Sequence, residues 1–158
     1  MIPKFNLVRD DIKRAFAYDC DIIVISRDCH DVVLNNKLLD FYKKFPKALV
    51  ADINGICQVT GMQLSPDYGR LGRMTGCTSI DAAIINFYTH SFIKGIDWVQ
   101  VSEGLSWVFE IAKVQNKHIA MNELGCSFSD GPGEVEDFYA MLNNLMQRFP
   151  SVEVTIFR

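Results

Sequence analysis

The chain has 158 residues, 49 % of them hydrophobic and 22 % charged, and a formal charge of −3 at pH 7. That is one domain's worth of sequence, able to bury roughly 70 % of its unfolded surface, and it excludes disorder, collagen-like repetition and a coiled coil. The longest apolar runs, Ile22 to Ile25 and Ala82 to Ile85, are strand-length, well short of the ~20 residues that cross a bilayer; the mild acidity also leaves no electrostatic footprint for duplex nucleic acid.

Met1 to Asp11 carries charges at Lys4, Arg9, Asp10 and Asp11 and no apolar signal core, so the expected location is the cytoplasm. Ile22-Ile23-Val24-Ile25 is continuous rather than alternating, as a strand buried on both faces should be. A loop, Ser26 to Asn36, leads into a helical stripe at Leu34, Leu38, Phe41 and Phe45, which Lys43, Lys44 and then Pro46 bring to an end. The stretch Lys47 to Cys77, with glycines at 55, 61, 69, 72 and 76, reads as loops with a short helix. Ala82 to Phe87 is a second buried strand. Asp97 with Gln100 starts a helix of capping-box type whose core stripe is Val101, Leu105, Val108 and Ala112; Trp98 and Trp107 on it are read as packing or partly exposed residues.

Ile119 to Met121 forms a short strand, Asn122 to Gly133 a loop, and Val135, Phe138, Leu142, Leu145 and Phe149 a last helix that stops at Pro150. Val152, Val154 and Ile156 alternate with polar residues as a terminal strand. Strands alternating with helices give an α/β layered domain, expected as a single unit over 1–158.

Ligands of such folds sit beyond the carboxyl ends of strands, which selects two loops, Ser26 to Asn36 and Asn122 to Gly133. In the second, Leu124-Gly125-Cys126-Ser127-Phe128-Ser129-Asp130-Gly131-Pro132-Gly133 runs into a helix start, where inward amides and the helix end can cradle a diphosphate. The plainer reading is a flexible strand-to-helix connection. Five cysteines with no Cys-x-x-Cys pair indicate reduced thiols rather than a disulfide framework. The run Asp28-Cys29-His30-Asp31 lacks paired metal-ligand spacing, and a nucleophile and its base are matched in space rather than by adjacency, so no metal is expected; Cys126 reads as a small packed residue.

The order of segments resembles the macro domain, the ADP-ribose-binding module, and especially its branch of small ADP-ribose 1″-phosphate phosphatases and de-ADP-ribosylating hydrolases. The segments are Asp10-Asp11-Ile12, Asp21 to Cys29, Phe41-Tyr42-Lys43-Lys44-Phe45-Pro46, Leu71-Gly72, Ile85 to His90, Ile119-Ala120-Met121, Leu124-Gly125-Cys126 and Val152 to Phe157. The resemblance implies a three-layer α/β/α fold with a mixed central sheet, no cofactor, and ADP-ribose or a related nucleotide sugar, free or on a modified protein, lying across the two loops. By position, Asp11 resembles the carboxylate that bonds the adenine amino group, with Ile12 beside it. Val32 and Val33 would flank the distal ribose, and Gly125, Cys126, Ser127, Phe128 and Ser129 would hold the diphosphate. Asp28 takes the place of the family's Asn or Asp near the distal ribose, where it could accept a proton or orient water. His90 falls where one hydrolase branch carries a lysine and could serve as acid, base or phosphate partner.

Two departures bear on activity. Leu34-Asn35-Asn36 stands where the branch has Gly-x-Gly, and a left-handed non-glycine residue costs roughly 1–2 kcal/mol. Ser127 replaces a family glycine, and Asp130, Glu134, Glu136 and Asp137 compete with an anionic ligand for the helix start. The leading expectation is therefore an ADP-ribose-binding domain with weak hydrolytic activity. The alternatives are an active phosphatase or de-ADP-ribosylase, and a fold retained for structural or protein-interaction purposes with Leu34 and Asn36 filling the cleft.

Overall fold

A computed structural model describes residues 5–30, 34–55, 68–79, 82–126 and 131–158. Four helices and seven strands are formed among them: β1 (Asn6–Val8), β2 (Ile22–Asp28), α1 (Asn36–Lys44), α2 (Pro46–Asn54), β3 (Met74–Ser79), β4 (Ala82–Ser91), β5 (Gly95–Ile96), α3 (Trp98–Gln115), β6 (Ile119–Met121), α4 (Val135–Arg148) and β7 (Val154–Phe157). The sheet order is β1-β7-β6-β2-β4-β3, with β5 added to β4. β1, β7, β6, β2 and β4 are parallel to their neighbours in that series, whereas β3 and β5 run antiparallel to β4. The central sheet is mixed, as expected, and the carboxyl ends of five strands share one edge.

Side chains on β2 alternate between two cores, as the pleat requires. Ile22 and Val24 face α3 and α4, packing with Val101, Leu105, Val108, Phe138, Leu142 and Leu145. Ile23 and Ile25 face α1 and the 3₁₀ turn at Ile12–Tyr18, packing with Ile12, Ala15, Leu38, Phe41 and Ala48. The α1, α3 and α4 stripes therefore lie where their spacing put them. Asp97 caps α3 by accepting from the amides of Val99 and Gln100, and Trp107 is left exposed on its outer face. None of the described helices is long and apolar enough to cross a membrane.

The sequence reading missed three strands. β1 and β5 are too short to show a pattern. β3 lies in the stretch assigned to loops, and it is a strand because it pairs with β4 from Met74↔Phe87 to Ser79↔Ala82. Gly76 belongs to that pairing, since a Cβ there would collide with the Ile84 carbonyl. Pro46 does end α1, but it also opens α2 as its first residue, where its missing N–H costs nothing.

Beneath the α1/α2 layer lies a buried polar group. Arg27 (4 % exposed) reaches Asp52 (2 %) at 2.9 Å and donates to the Tyr42 hydroxyl at 3.0 Å. Tyr88 donates to Asp52 at 2.6 Å and accepts from Arg70 at 3.2 Å; Asn86 bridges Tyr42, Thr75 and the Ala48 carbonyl. Removing one member of a buried ion pair strands the other charge. Asp52→Ala is thus expected to cost about 3–5 kcal/mol in urea unfolding, while the exposed Asp40→Ala, which loses a surface pair with Lys13, should cost at most about 1 kcal/mol.

Candidate functional site

The shared edge gathers Asp11 after β1, Asp28 at the end of β2, His90 near the end of β4 and the turn after β6. Asp11 caps the 3₁₀ turn through the Lys13 amide at 3.0 Å, and its side chain is about half exposed. Ile12 beside it is buried in the α1-side core. Asp28 is 6 % exposed, and both of its oxygens are engaged: Oδ1 accepts from the His30 amide at 2.7 Å and Oδ2 from the Phe92 amide at 2.8 Å. Its carboxylate ties the loop after β2 to the turn after β4.

At this end the β2/β4 register shifts, so that Arg27 opposes Tyr88 and Asp28 opposes His90. Thr89 is left between them, and its Oγ1 lies 2.8 Å from His90 Nδ1. The His90 ring is fully buried, with its Nε2 unpartnered among the described residues; burial holds its pKa below the usual imidazole range, opposed by the nearby Asp28 charge. Cys29, also fully buried, donates its amide to the His90 carbonyl at 2.9 Å. Cys29 Sγ is 3.4 Å from His30 Nδ1, which is 3.6 Å from Asp28 Oδ1.

The turn after β6 is close-packed. Gly125 has φ +75° and touches the β4–β5 hairpin, where a Cβ would collide with Ile96 Cδ1 and come within 3.5 Å of Thr89 Oγ1. Its carbonyl accepts from the Gly133 amide at 2.8 Å, and that of Cys126 from Gly131 at 2.6 Å. These bonds hold Gly131 and Gly133 against Gly125 and Cys126 just before α4, whose capping residue Glu134 makes no side-chain cap bond and whose first turn carries Glu136 and Asp137. Burial, reinforced by Glu123, Glu134, Asp137 and Glu136, pushes the Cys126 thiol up to about 11, so it is no thiolate nucleophile at neutral pH.

Neither a family model nor a curated protein matches this sequence. Solved structures do match it. The macrodomain of Mycobacterium tuberculosis DarG is 20 % identical with a TM-score of 0.71, over 98 % of this chain and 97 % of that one. The Thermus aquaticus DarG macrodomain is 16 % identical with a TM-score of 0.68, over 98 % of each chain. Thermosipho africanus DarTG, solved in complex with ADP-ribose, is 16 % identical with a TM-score of 0.60, over 98 % of this chain and 42 % of that one. The chain has the macrodomain fold.

On this macrodomain scaffold the edge brings Asp28, His90, Gly125 and Cys126 together, with Asp11 at the β1 end. Val32, Val33, Ser127, Phe128 and Ser129 lie outside the described residues. Arg27 pairs with Asp52 rather than with Asp28. In place of the expected glycines, Asn35 caps α1 by accepting from the Leu38 amide at 2.9 Å, Leu34 packs partly buried against the α1-side core, and Asn36 is exposed.

Sequence reasoning passed over Phe92, whose amide anchors Asp28, and the residues just beyond β6. There Asn122 donates to the Phe157 carbonyl at 3.1 Å, while Asn122 Oδ1 is buried without a hydrogen bond among the described residues and Glu123 lies beside the Tyr139 hydroxyl of α4. The position of Asn122 and Glu123 directly after a buried strand was the available signal. Because two amides depend on one carboxylate, Asp28→Ala should lower unfolding stability by about 2–4 kcal/mol and speed amide exchange at both His30 and Phe92. Asp28→Asn, which keeps one acceptor oxygen, should lose about half as much, with the loss confined to one of the two amides.

Proposed function

We propose that this domain binds ADP-ribose, or a group bearing it, along the edge formed by the carboxyl ends of β1, β6, β2 and β4. The reading is carried by the macrodomain fold with Asp11 and the Gly125 turn at opposite parts of one edge. Asp11 offers a half-exposed acceptor suited to an exocyclic amino group, and the Gly125 turn, with its positive φ, lies beside the β4–β5 hairpin at the same edge. The ADP-ribose in the Thermosipho africanus relative supports the same ligand class.

Binding is favoured over efficient turnover by the state of Asp28. A carboxylate whose two oxygens already accept from two amides has less capacity to orient water than one facing an open cleft. The carboxylates around Cys126 and α4 oppose the negative charge of a diphosphate and reduce its affinity. The positions of Leu34, against the core, and Asn36, in solvent, argue against a cleft plugged by those side chains.

Calorimetric titration with ADP-ribose is expected to give one site. Asp11→Ser, which keeps a good helix-capping oxygen but withdraws the longer carboxylate, should weaken it roughly tenfold, the equivalent of one hydrogen bond of about 1.4 kcal/mol. Absence of heat would favour the interaction-domain alternative. Release of ADP-ribose or phosphate from modified protein or ADP-ribose 1″-phosphate, abolished by Asp28→Asn in a folded variant, would favour the hydrolase.

A further inference from the structure

We propose that the bend Asp28-Cys29-His30 is a zinc site with three protein ligands and an open fourth position. Spacing in the sequence argues against a metal, because consecutive residues on an extended strand point to opposite faces. The strand ends here, however, and Asp28 accepts from the His30 amide two residues on at 2.7 Å, folding the chain back over its own carboxylate. Cys29 Sγ, His30 Nδ1 and an Asp28 oxygen consequently all lie within 4.8 Å of one another, the one such grouping of three among the described residues.

Two of the three donor separations already suit zinc, and the third, Cys29 Sγ to the Asp28 carboxylate, lies within 4.8 Å and closes toward about 3.5 Å when the ion binds. With Zn–S near 2.3 Å and Zn–N and Zn–O near 2.0–2.1 Å, tetrahedral geometry separates S from N by about 3.5 Å and N from O by about 3.3 Å. The structure has 3.4 Å and 3.6 Å. One sulfur, one imidazole nitrogen and one carboxylate oxygen form a borderline-soft set that fits zinc and not the all-oxygen shells of magnesium or calcium. Cys29 is fully buried and Asp28 nearly so, while the His30 side chain is 40 % exposed, which leaves the ion a route from solvent.

The supporting groups are also in place. Asp28 is oriented by the amides of His30 and Phe92, and Cys29 by its amide bond to the His90 carbonyl. Three protein ligands with a free fourth position are the pattern of zinc sites that bind water or a ligand rather than only brace a fold. The position faces the carboxyl edge of β2, but the site stands on its own residues and does not depend on the ADP-ribose reading.

The test uses the full chain, stripped with a chelator, dialysed against zinc sulfate and assayed for bound metal; in parallel, cobalt(II) is added and its absorption recorded. One zinc per chain is expected, together with tetrahedral cobalt bands and a thiolate-to-cobalt charge-transfer band. Cys29→Ser and His30→Ala should each weaken zinc binding by at least the roughly 100-fold that losing even a supporting group can cost. Cys20→Ser should retain one equivalent; it removes another thiol that lies near a histidine, Cys20 Sγ being 3.8 Å from His118 Nε2. Wild-type protein that emerges zinc-free, a cobalt spectrum without thiolate charge transfer, or full zinc retention in both Cys29→Ser and His30→Ala would overturn the proposal and leave only a thiol–imidazole hydrogen bond. Calorimetry with ADP-ribose reads the other proposal separately, since neither the metal assay nor the cobalt spectrum contains nucleotide.

Discussion

β2 is enclosed on every side. It has parallel neighbours on both edges, helices against both faces, and all seven of its residues are buried. Water is therefore unavailable to the polar tail Arg27-Asp28, and an unpaired charge there would be prohibitively costly. Arg27 is answered by Asp52 and Tyr42, which attaches α1 and α2 to the strand, and Asp28 by the amides of His30 and Phe92, which attaches the next loop and the β4–β5 turn. One desolvated strand end thus organises both the layer behind the sheet and the edge in front of it.

That edge is held firmly rather than left loose. The amides of Ile93 and Lys94 donate to the Ser91 hydroxyl, Thr89 and His90 are coupled at the register shift, and Gly125 is pressed against the same hairpin. The electrostatics there are acidic: the carboxylates of Glu123, Glu134, Glu136 and Asp137 disfavour an anion and, with burial, help keep the Cys126 thiol protonated.

Much of this was legible in the residues. Ile22 to Ile25 reads as a doubly buried strand because no polar position interrupts it, and the α1, α3 and α4 stripes, with Asp97 as a cap, follow from helical periodicity. The rule that ligands gather beyond strand ends selected the loops Ser26 to Asn36 and Asn122 to Gly133, and the resemblance singled out Asp28 in the first. The residues 74–79 were illegible as a strand because Gly76 there reflects close contact with the Ile84 carbonyl, a cross-strand fact absent from local pattern. Asp28 was legible as a position but not as a clip, since Phe92 lies 64 residues away.

The amino-acid order by itself determined the alternation of strands and helices, the faces each buries and the edge on which polar loops collect, because those depend on periodicity and on residues near one another in the chain. Only the tertiary structure decided what the chemically versatile groups are occupied with. Asp28 is bound to amides, Arg27 to a carboxylate on α2, and Cys29 and His30 are turned toward one another, since the partner of a buried polar group is set by which segments the sheet brings within about 3 Å and not by distance along the chain.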